Sequence, residues 1–97
     1  MITVWKFPLV YADRQMIEAP QDVQWLMFEE QNGTPCLWGQ VDTELPLKPI
    51  EIRVAGTGHP LDSPGAGGID SCDLQYIGSC MAKGGLLVWH AYEILTE

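Results

Sequence analysis

The chain has 97 residues, of which 46% are hydrophobic, so it has the size and composition of one globular domain and is not intrinsically disordered. Thirteen acidic residues against five basic ones give a net charge of -8. Nucleic-acid affinity comes mainly from Lys and Arg on phosphates, so we expect neither DNA nor RNA as a partner. The acidic charge and the absence of a long apolar run also argue against a membrane.

The compartment is inferred from the N-terminus and the cysteines. The first residues contain neither a basic leader nor a long apolar run, so we expect a cytoplasmic protein. The cysteines are Cys36, Cys72 and Cys80, an odd number without a CxxC pair. We expect them to be reduced, with no metal site and no cofactor.

Seven short segments show strand patterns, each bounded by Pro, Gly, Asn or Asp. They cover residues 2–7, 15–18, 22–31, 34–41, 50–55, 74–81 and 86–95. A proline-broken connection is expected at 42–49 and a long, mobile loop at 61–73. No segment shows a sustained helical period. The predicted fold is therefore all-β, a small antiparallel β-sandwich or open barrel of about seven strands in a single domain.

The third and fourth strands are joined by Asn32-Gly33, a strong hairpin signal. A two-residue turn predicts the pairs Gln31–Thr34, Phe28–Leu37, Met27–Trp38 and Trp25–Gln40. One face of the hairpin would then carry Leu26, Phe28, Leu37 and Val41 as a core face. The other would carry Val23, Trp25, Met27, Cys36 and Trp38. With both faces apolar, the second is buried by another layer or contacts a partner or ligand.

The fifth strand ends in Gly56-Thr57-Gly58-His59. Glycines let the backbone turn sharply and expose N–H groups, which can form a concave anion site. His59 precedes a proline, which favours an extended conformation. This pattern is consistent with a polar ligand site. It is also consistent with a plain strand exit that ends in a surface or capping histidine, since a short Gly-x-Gly is very common.

Further ligand contacts are candidates on neighbouring strands. Arg53 could pair with a phosphate, or with an acid on an adjacent strand. His90 lies between Trp89 and a second aromatic, Tyr92, and is either a ligand contact or a structural histidine. Together with Trp38, these rings could stack on a nucleobase or sugar. No catalytic motif is present, so a hydrolase using His59 is only a minor alternative.

Five blocks of the sequence carry a resemblance. WKFPL, QNGTPCLWGQVD, EIRVAGTGHP, YIGS and GGLLVWHAYE resemble a family of small proteins of unknown function from phages and prophages. The resemblance implies a phage-encoded protein that acts in the cytoplasm of the bacterial host. By analogy with other small phage proteins, it implies a counter-defence role.

Two functions are expected from these observations. The first is a non-enzymatic binding protein, a homo-oligomer that sequesters a small anionic, nucleotide-type signalling molecule. The second is a protein–protein interaction module that inhibits a host defence enzyme or serves phage assembly. The acidic net charge opposes the first, because it repels an anionic ligand.

Overall fold

The computed structural model describes residues 1–61 and 73–95. Within these ranges it contains seven strands and one short 3-10 turn, Lys83–Gly85. The strands are β1 (Ile2–Pro8), β2 (Gln15–Pro20), β3 (Gln24–Gln31), β4 (Thr34–Asp42), β5 (Leu47–Gly56), β6 (Leu74–Ala82) and β7 (Leu87–Ile94). The predicted all-β class is confirmed. Residues 62–72, which include Cys72 and most of the predicted long loop, lie outside the described ranges.

The strands form two antiparallel sheets. One has the order β1-β4-β3 and the other the order β2-β5-β7-β6. The sheets face each other, and β3 also packs along β6, where a Cβ added at Gly78 would lie 3.4 Å from the Phe28 Cβ. One side of the sandwich is thereby closed, while β1 and β2 remain the outer strands of their sheets.

The core follows from the alternation of side chains along the central strands. On β5, Ile52 and Val54 are almost completely buried, and on β4 Leu37 and Val41 are buried opposite them. The remaining core residues are Phe7, Leu9, Ala19, Phe28, Ile50, Cys80 and Ala91. Residues on the opposite faces of these strands therefore point away from the interior.

The β3–β4 hairpin confirms most of the predicted register but contains a bulge. Asn32 and Gly33 both take positive φ, at 52° and 82°, as a two-residue hairpin turn requires. The predicted pairs from Gln31–Thr34 to Met27–Trp38 are present. A register shift between Trp25 and Met27 then pairs Trp25 with Gly39, so the predicted Trp25–Gln40 pair is wrong.

The bulge also changes which side chains face the core. A bulge places two residues of one strand against one of its partner, which reverses the alternation beyond it. Val23 and Trp25 therefore pack against the core instead of joining Met27 and Trp38 on the outer face. Leu26, predicted as a core residue, is 55% exposed. Gly39 accommodates this packing, since a Cβ there would lie 2.7 Å from the Val23 Cγ2.

The fifth strand begins earlier than predicted, inside the expected proline-broken connection. Pro49 belongs to β5 and pairs with Glu18 of β2. Pairing between β5 and β7 starts only at Glu51, opposite Ile94. Pro49 thus lies where β5 has a neighbour on one side alone, and its missing N–H costs no ladder hydrogen bond there.

Two cysteines, Cys36 and Cys80, are free and buried. Burial first, and then the nearby Glu29 and Glu30 carboxylates, raise the pKa of the Cys80 thiol to about 11. A raised pKa keeps the native thiol neutral. Above pH 9, where an unfolded thiol ionises, its contribution to stability therefore falls as the pH rises.

We expect Cys80 to resist alkylation by iodoacetamide at pH 8, where only on the order of a thousandth of the native thiol is ionised. Peptide mass mapping of the native protein, with the same reaction in guanidinium chloride as control, measures this. Labelling of Cys80 at equal rates in both conditions would contradict the buried, neutral thiol.

Candidate functional site

The turn that follows β5 is closed by its own hydrogen bonds. The His59 N–H donates to the Gly56 carbonyl at 3.0 Å, and the Thr57 N–H donates to the Val88 carbonyl at 3.2 Å. The Gly56 N–H donates to the His59 Nδ1 at 3.1 Å. Only Gly58 takes a positive φ, at 89°. Because three of its four N–H groups already have acceptors, this turn does not supply the predicted concave anion site.

The imidazole of His59 is held over the turn. Since Nδ1 accepts a hydrogen bond from the backbone, the neutral ring carries its proton on Nε2. The ring lies so close to the backbone that a Cβ at Gly56 would be 2.9 Å from the His59 Cε1. Glycine at position 56 is therefore required for close approach of the ring. The sequence had suggested instead that it allows an unusual φ.

His59 is one end of a row of three rings. It meets Trp89 edge-on, with ring centroids 5.9 Å apart, and Trp89 meets Tyr11 on its other side at 4.8 Å. The Tyr11 hydroxyl donates to the Glu30 Oε2 at 2.5 Å. Burial, followed by this carboxylate, raises the pKa of Tyr11, so the hydroxyl keeps its proton. Trp89 is thus fixed between two anchored neighbours.

An open cleft of about 360 Å³ lies against this row. It is lined by Gly56, Thr57, His59, Leu86, Leu87, Val88 and Trp89. Leu86 is 83% exposed, so the cleft has an apolar and accessible wall. It brings together four of the residues predicted as ligand contacts, namely Gly56, Thr57, His59 and Trp89. We call it the Trp89 cleft.

A second cleft of about 370 Å³ lies next to the first and shares Leu87 and Trp89 with it. Its other lining residues are Tyr11, Glu30, Gly33, Ala82 and Lys83. Lys83 is a cation with positive φ, at 51°, in the turn between β6 and β7. A ligand that covers the Trp89 ring therefore lies next to a cleft that Lys83 lines.

Arg53 is committed to the protein itself. It alternates with the core residues Ile52 and Val54, so it lies on the outer face of the four-stranded sheet, and it is 1% exposed. Nη1 bonds the Asp13 Oδ1 at 2.6 Å and Nη2 bonds the Pro60 carbonyl at 2.8 Å. Its Nε has no hydrogen-bond partner among the described residues. This guanidinium joins the segment before β2 to the end of the turn, and it is closed to a phosphate.

His90 lies on the same outer face, in a network of hydroxyl groups. Its Nε2 is 2.8 Å from the Thr57 Oγ1 and its Nδ1 is 2.6 Å from the Ser79 Oγ. The Tyr76 hydroxyl is 2.7 Å from the same Ser79 Oγ. Tyr92 packs against Tyr76 with ring centroids 5.6 Å apart. His90 and Tyr92 are therefore close to the Trp89 cleft but open onto a different surface.

Trp38 does not join the other predicted site residues. It lies on β4, opposite Lys6 and Met27, and its alternation with the buried Leu37 places it on the outer face of the three-stranded sheet. The predicted set thus divides among the Trp89 cleft, the outer face of the four-stranded sheet and the far side of the molecule.

Several site residues were not predicted. Tyr11 lies between two strands, in a stretch without periodicity that gives no signal. Ser79 and Tyr76 could have been found from the Lys83-Gly84-Gly85 turn, because it fixes the β6–β7 register that places Ser79 opposite His90. Leu86 and Lys83 lie in that same turn, which the sequence marks only as a turn.

The described ranges hold no group of three or more His, Cys, Asp or Glu side chains arranged to bind a metal ion. They also hold no helix with the length and apolarity to cross a membrane.

A comparison with known protein families shows to which family the chain belongs. A family model described as a domain of unknown function, DUF7352, matches residues 1–96. The chain belongs to the DUF7352 family. The expected resemblance to a family of unknown function is thus confirmed, while a phage origin stays a prediction. Neither the curated proteins nor the solved structures contain a match to this DUF7352 chain.

Proposed function

We propose that this protein is a binding protein that captures a small ligand with a flat ring, of nucleotide type, in the Trp89 cleft. The observation that carries the proposal is the anchored Trp89 ring, which borders two adjoining clefts and is flanked by His59 and Tyr11. Capture at this cleft needs no catalytic group. We further propose, from the family resemblance, a counter-defence role in the cytoplasm of a phage-infected bacterium.

Stacking supplies the main part of the binding energy in this proposal. Stacking of a base on an aromatic side chain contributes about 1–3 kcal/mol. The Leu86 and Leu87 side chains add apolar contact beside the ring. The His59 Nε2–H and the exposed Thr57 residue offer polar contacts at the edge of the cleft.

Charge contributes less to the proposed ligand binding than the sequence suggested. Arg53 is bound to Asp13, so Lys83 is the cation that can meet a phosphate from the Trp89 cleft. Glu30 lines the same cleft as Lys83, and the chain carries a net charge of -8. We therefore expect a ligand with few phosphates and an affinity that depends weakly on salt.

Titration calorimetry with ADP-ribose, cyclic AMP and cyclic di-AMP tests the proposal. We expect at least one of these probes to bind, and Leu86→Glu to weaken it about tenfold or more by placing a carboxylate at the cleft, equivalent to about 1.4 kcal/mol. The control is Leu47→Glu, the same change at a residue that is 57% exposed on β5 and outside both clefts. No heat with any probe, or equal weakening by both variants, would contradict capture at this cleft.

The outer face of the three-stranded sheet favours a second function, a protein-interaction module. Ile2, Val4, Leu26 and Met27 are 63%, 51%, 55% and 44% exposed there, beside the half-buried Trp38 and the free edge of β1. Apolar surface of this kind suits a protein partner or a second copy of the chain. Native mass spectrometry distinguishes a homo-oligomer from a monomer that binds a host protein.

A further inference from the structure

The hydroxyl network around His90 has the order of a nucleophile, a base and a positioning group. Thr57 Oγ1 donates to the Val88 carbonyl at 3.4 Å, so its oxygen accepts the proton on the His90 Nε2 at 2.8 Å. With the proton on Nε2, the Nδ1 has a free electron pair. The Ser79 hydroxyl, 2.6 Å away, donates to this nitrogen. The Ser79 oxygen is thereby prepared to lose its proton.

A second donor and a cleft complete the arrangement. The Tyr76 hydroxyl lies 2.7 Å from the Ser79 Oγ and donates to it when Ser79 donates to His90, so it holds the Ser79 oxygen beside the imidazole. An open cleft of about 310 Å³ borders Ser79 and is lined by Met81, Val88, Cys80 and Glu29. Its apolar walls suit a short acyl chain, and the Glu29 carboxylate disfavours an anionic one.

We propose that Ser79 and His90 form a nucleophile–base pair that accepts acyl groups from small neutral esters. Ser79 lies on β6 and His90 on β7, and the register of these two strands makes the two residues direct partners. The pair opens onto the outer face of the four-stranded sheet, so this activity does not depend on ligand capture in the Trp89 cleft.

The reaction balances with water as the only co-reactant. Ser79 Oγ bonds to the ester carbonyl carbon while its proton passes to the His90 Nδ1. The bond from carbon to the alkoxy oxygen then breaks, and His90 gives its proton to the leaving alcohol. Water next attacks the acyl group on Ser79, passing its proton through His90 to the Ser79 oxygen, which releases a carboxylic acid. Thr57 is a positioning residue that holds the imidazole in the required tautomer.

A neutral alkyl fluorophosphonate is the first probe, because a serine oxygen that displaces its fluoride forms a stable adduct. We expect peptide mass mapping of the native protein to find the adduct on Ser79. The rate should fall at least about tenfold in His90→Gln, since a general base contributes about 10²–10⁴-fold. Thr57→Val should slow labelling, and Thr57→Ser, which keeps the hydroxyl, should restore it.

Thr34→Ala, which removes an exposed hydroxyl at the start of β4, is the control and should label as the wild type does. Hydrolysis of p-nitrophenyl acetate should in turn be lost in Ser79→Ala. The adduct is mapped on the unmodified chain, so the result does not depend on the folding of a variant. An unlabelled Ser79, or an adduct rate unchanged by His90→Gln, overturns the proposal.

Discussion

Replacing Asp13 by Ala is expected to lower the free energy of unfolding by about 3 kcal/mol, because it leaves the buried guanidinium of Arg53 without its carboxylate partner. The guanidinium of Arg53 is 1% exposed, and without Asp13 it would retain only carbonyl acceptors for its charge. Urea denaturation followed by tryptophan fluorescence measures the change.

Replacing Arg53, the buried partner, should lower the free energy of unfolding by less. Arg53→Met keeps most of the side-chain volume, and the Asp13 carboxylate, whose side chain is 63% exposed, regains water. The expected loss is about 1–2 kcal/mol, mainly from the Pro60 carbonyl left without its donor. If Arg53→Met proves more damaging than Asp13→Ala, the charge of Arg53 is balanced by groups other than Asp13.

Trp89→Ala is expected to destabilise the protein by about 3 kcal/mol, the lower end for a tryptophan truncation because Trp89 is only half-buried. The change removes packing against the core and two ring contacts, to Tyr11 and His59. It should also abolish ligand capture, since the stacking surface is gone. Thermal unfolding and calorimetry report the two effects separately.

Trp38→Ala is the matched control for this variant. Trp38 is also half-buried, but it lies on the outer face of the other sheet. We expect the free energy of unfolding to fall by about 1 kcal/mol, as is typical when a side chain at the surface is truncated. Ligand capture should be unchanged. Equal destabilisation by the two variants would show that Trp89 is no better anchored than an ordinary outer-face ring.

The sequence predicted the strands well because their signals are local. Alternation along β5 and the Asn32-Gly33 turn identify a strand and a hairpin without knowledge of the rest of the fold. The bulge at Leu26 could not be predicted, because it depends on Val23 and Trp25 packing over Gly39 of the neighbouring strand. Pro49 was misassigned because the free side of β5 is a property of sheet order.

The candidate site was only partly predictable for the same reason. His59 and Trp89 were named from their residue types, and the structure places them together at one cleft. For Arg53 the sequence allows a phosphate contact or a pair with an acid, and it does not identify the acid because Asp13 is distant in sequence and precedes β2. Residue type indicates what a side chain can bind, whereas the fold decides which groups are already occupied.

The strand order predicts which strands of the molecule open first. Interior strands β4, β5 and β7 hold neighbours on both sides, while the four outer strands hold one each, and of these only β3 and β6 also pack along each other. Transient opening should therefore begin at the two unshielded margins, and amide hydrogens there should exchange with deuterium first. The turn bearing His59, tied to β7 through the Val88 carbonyl, should stay protected longer. The end of the sandwich that carries the Trp89 cleft would then keep its shape while the outer strands fluctuate.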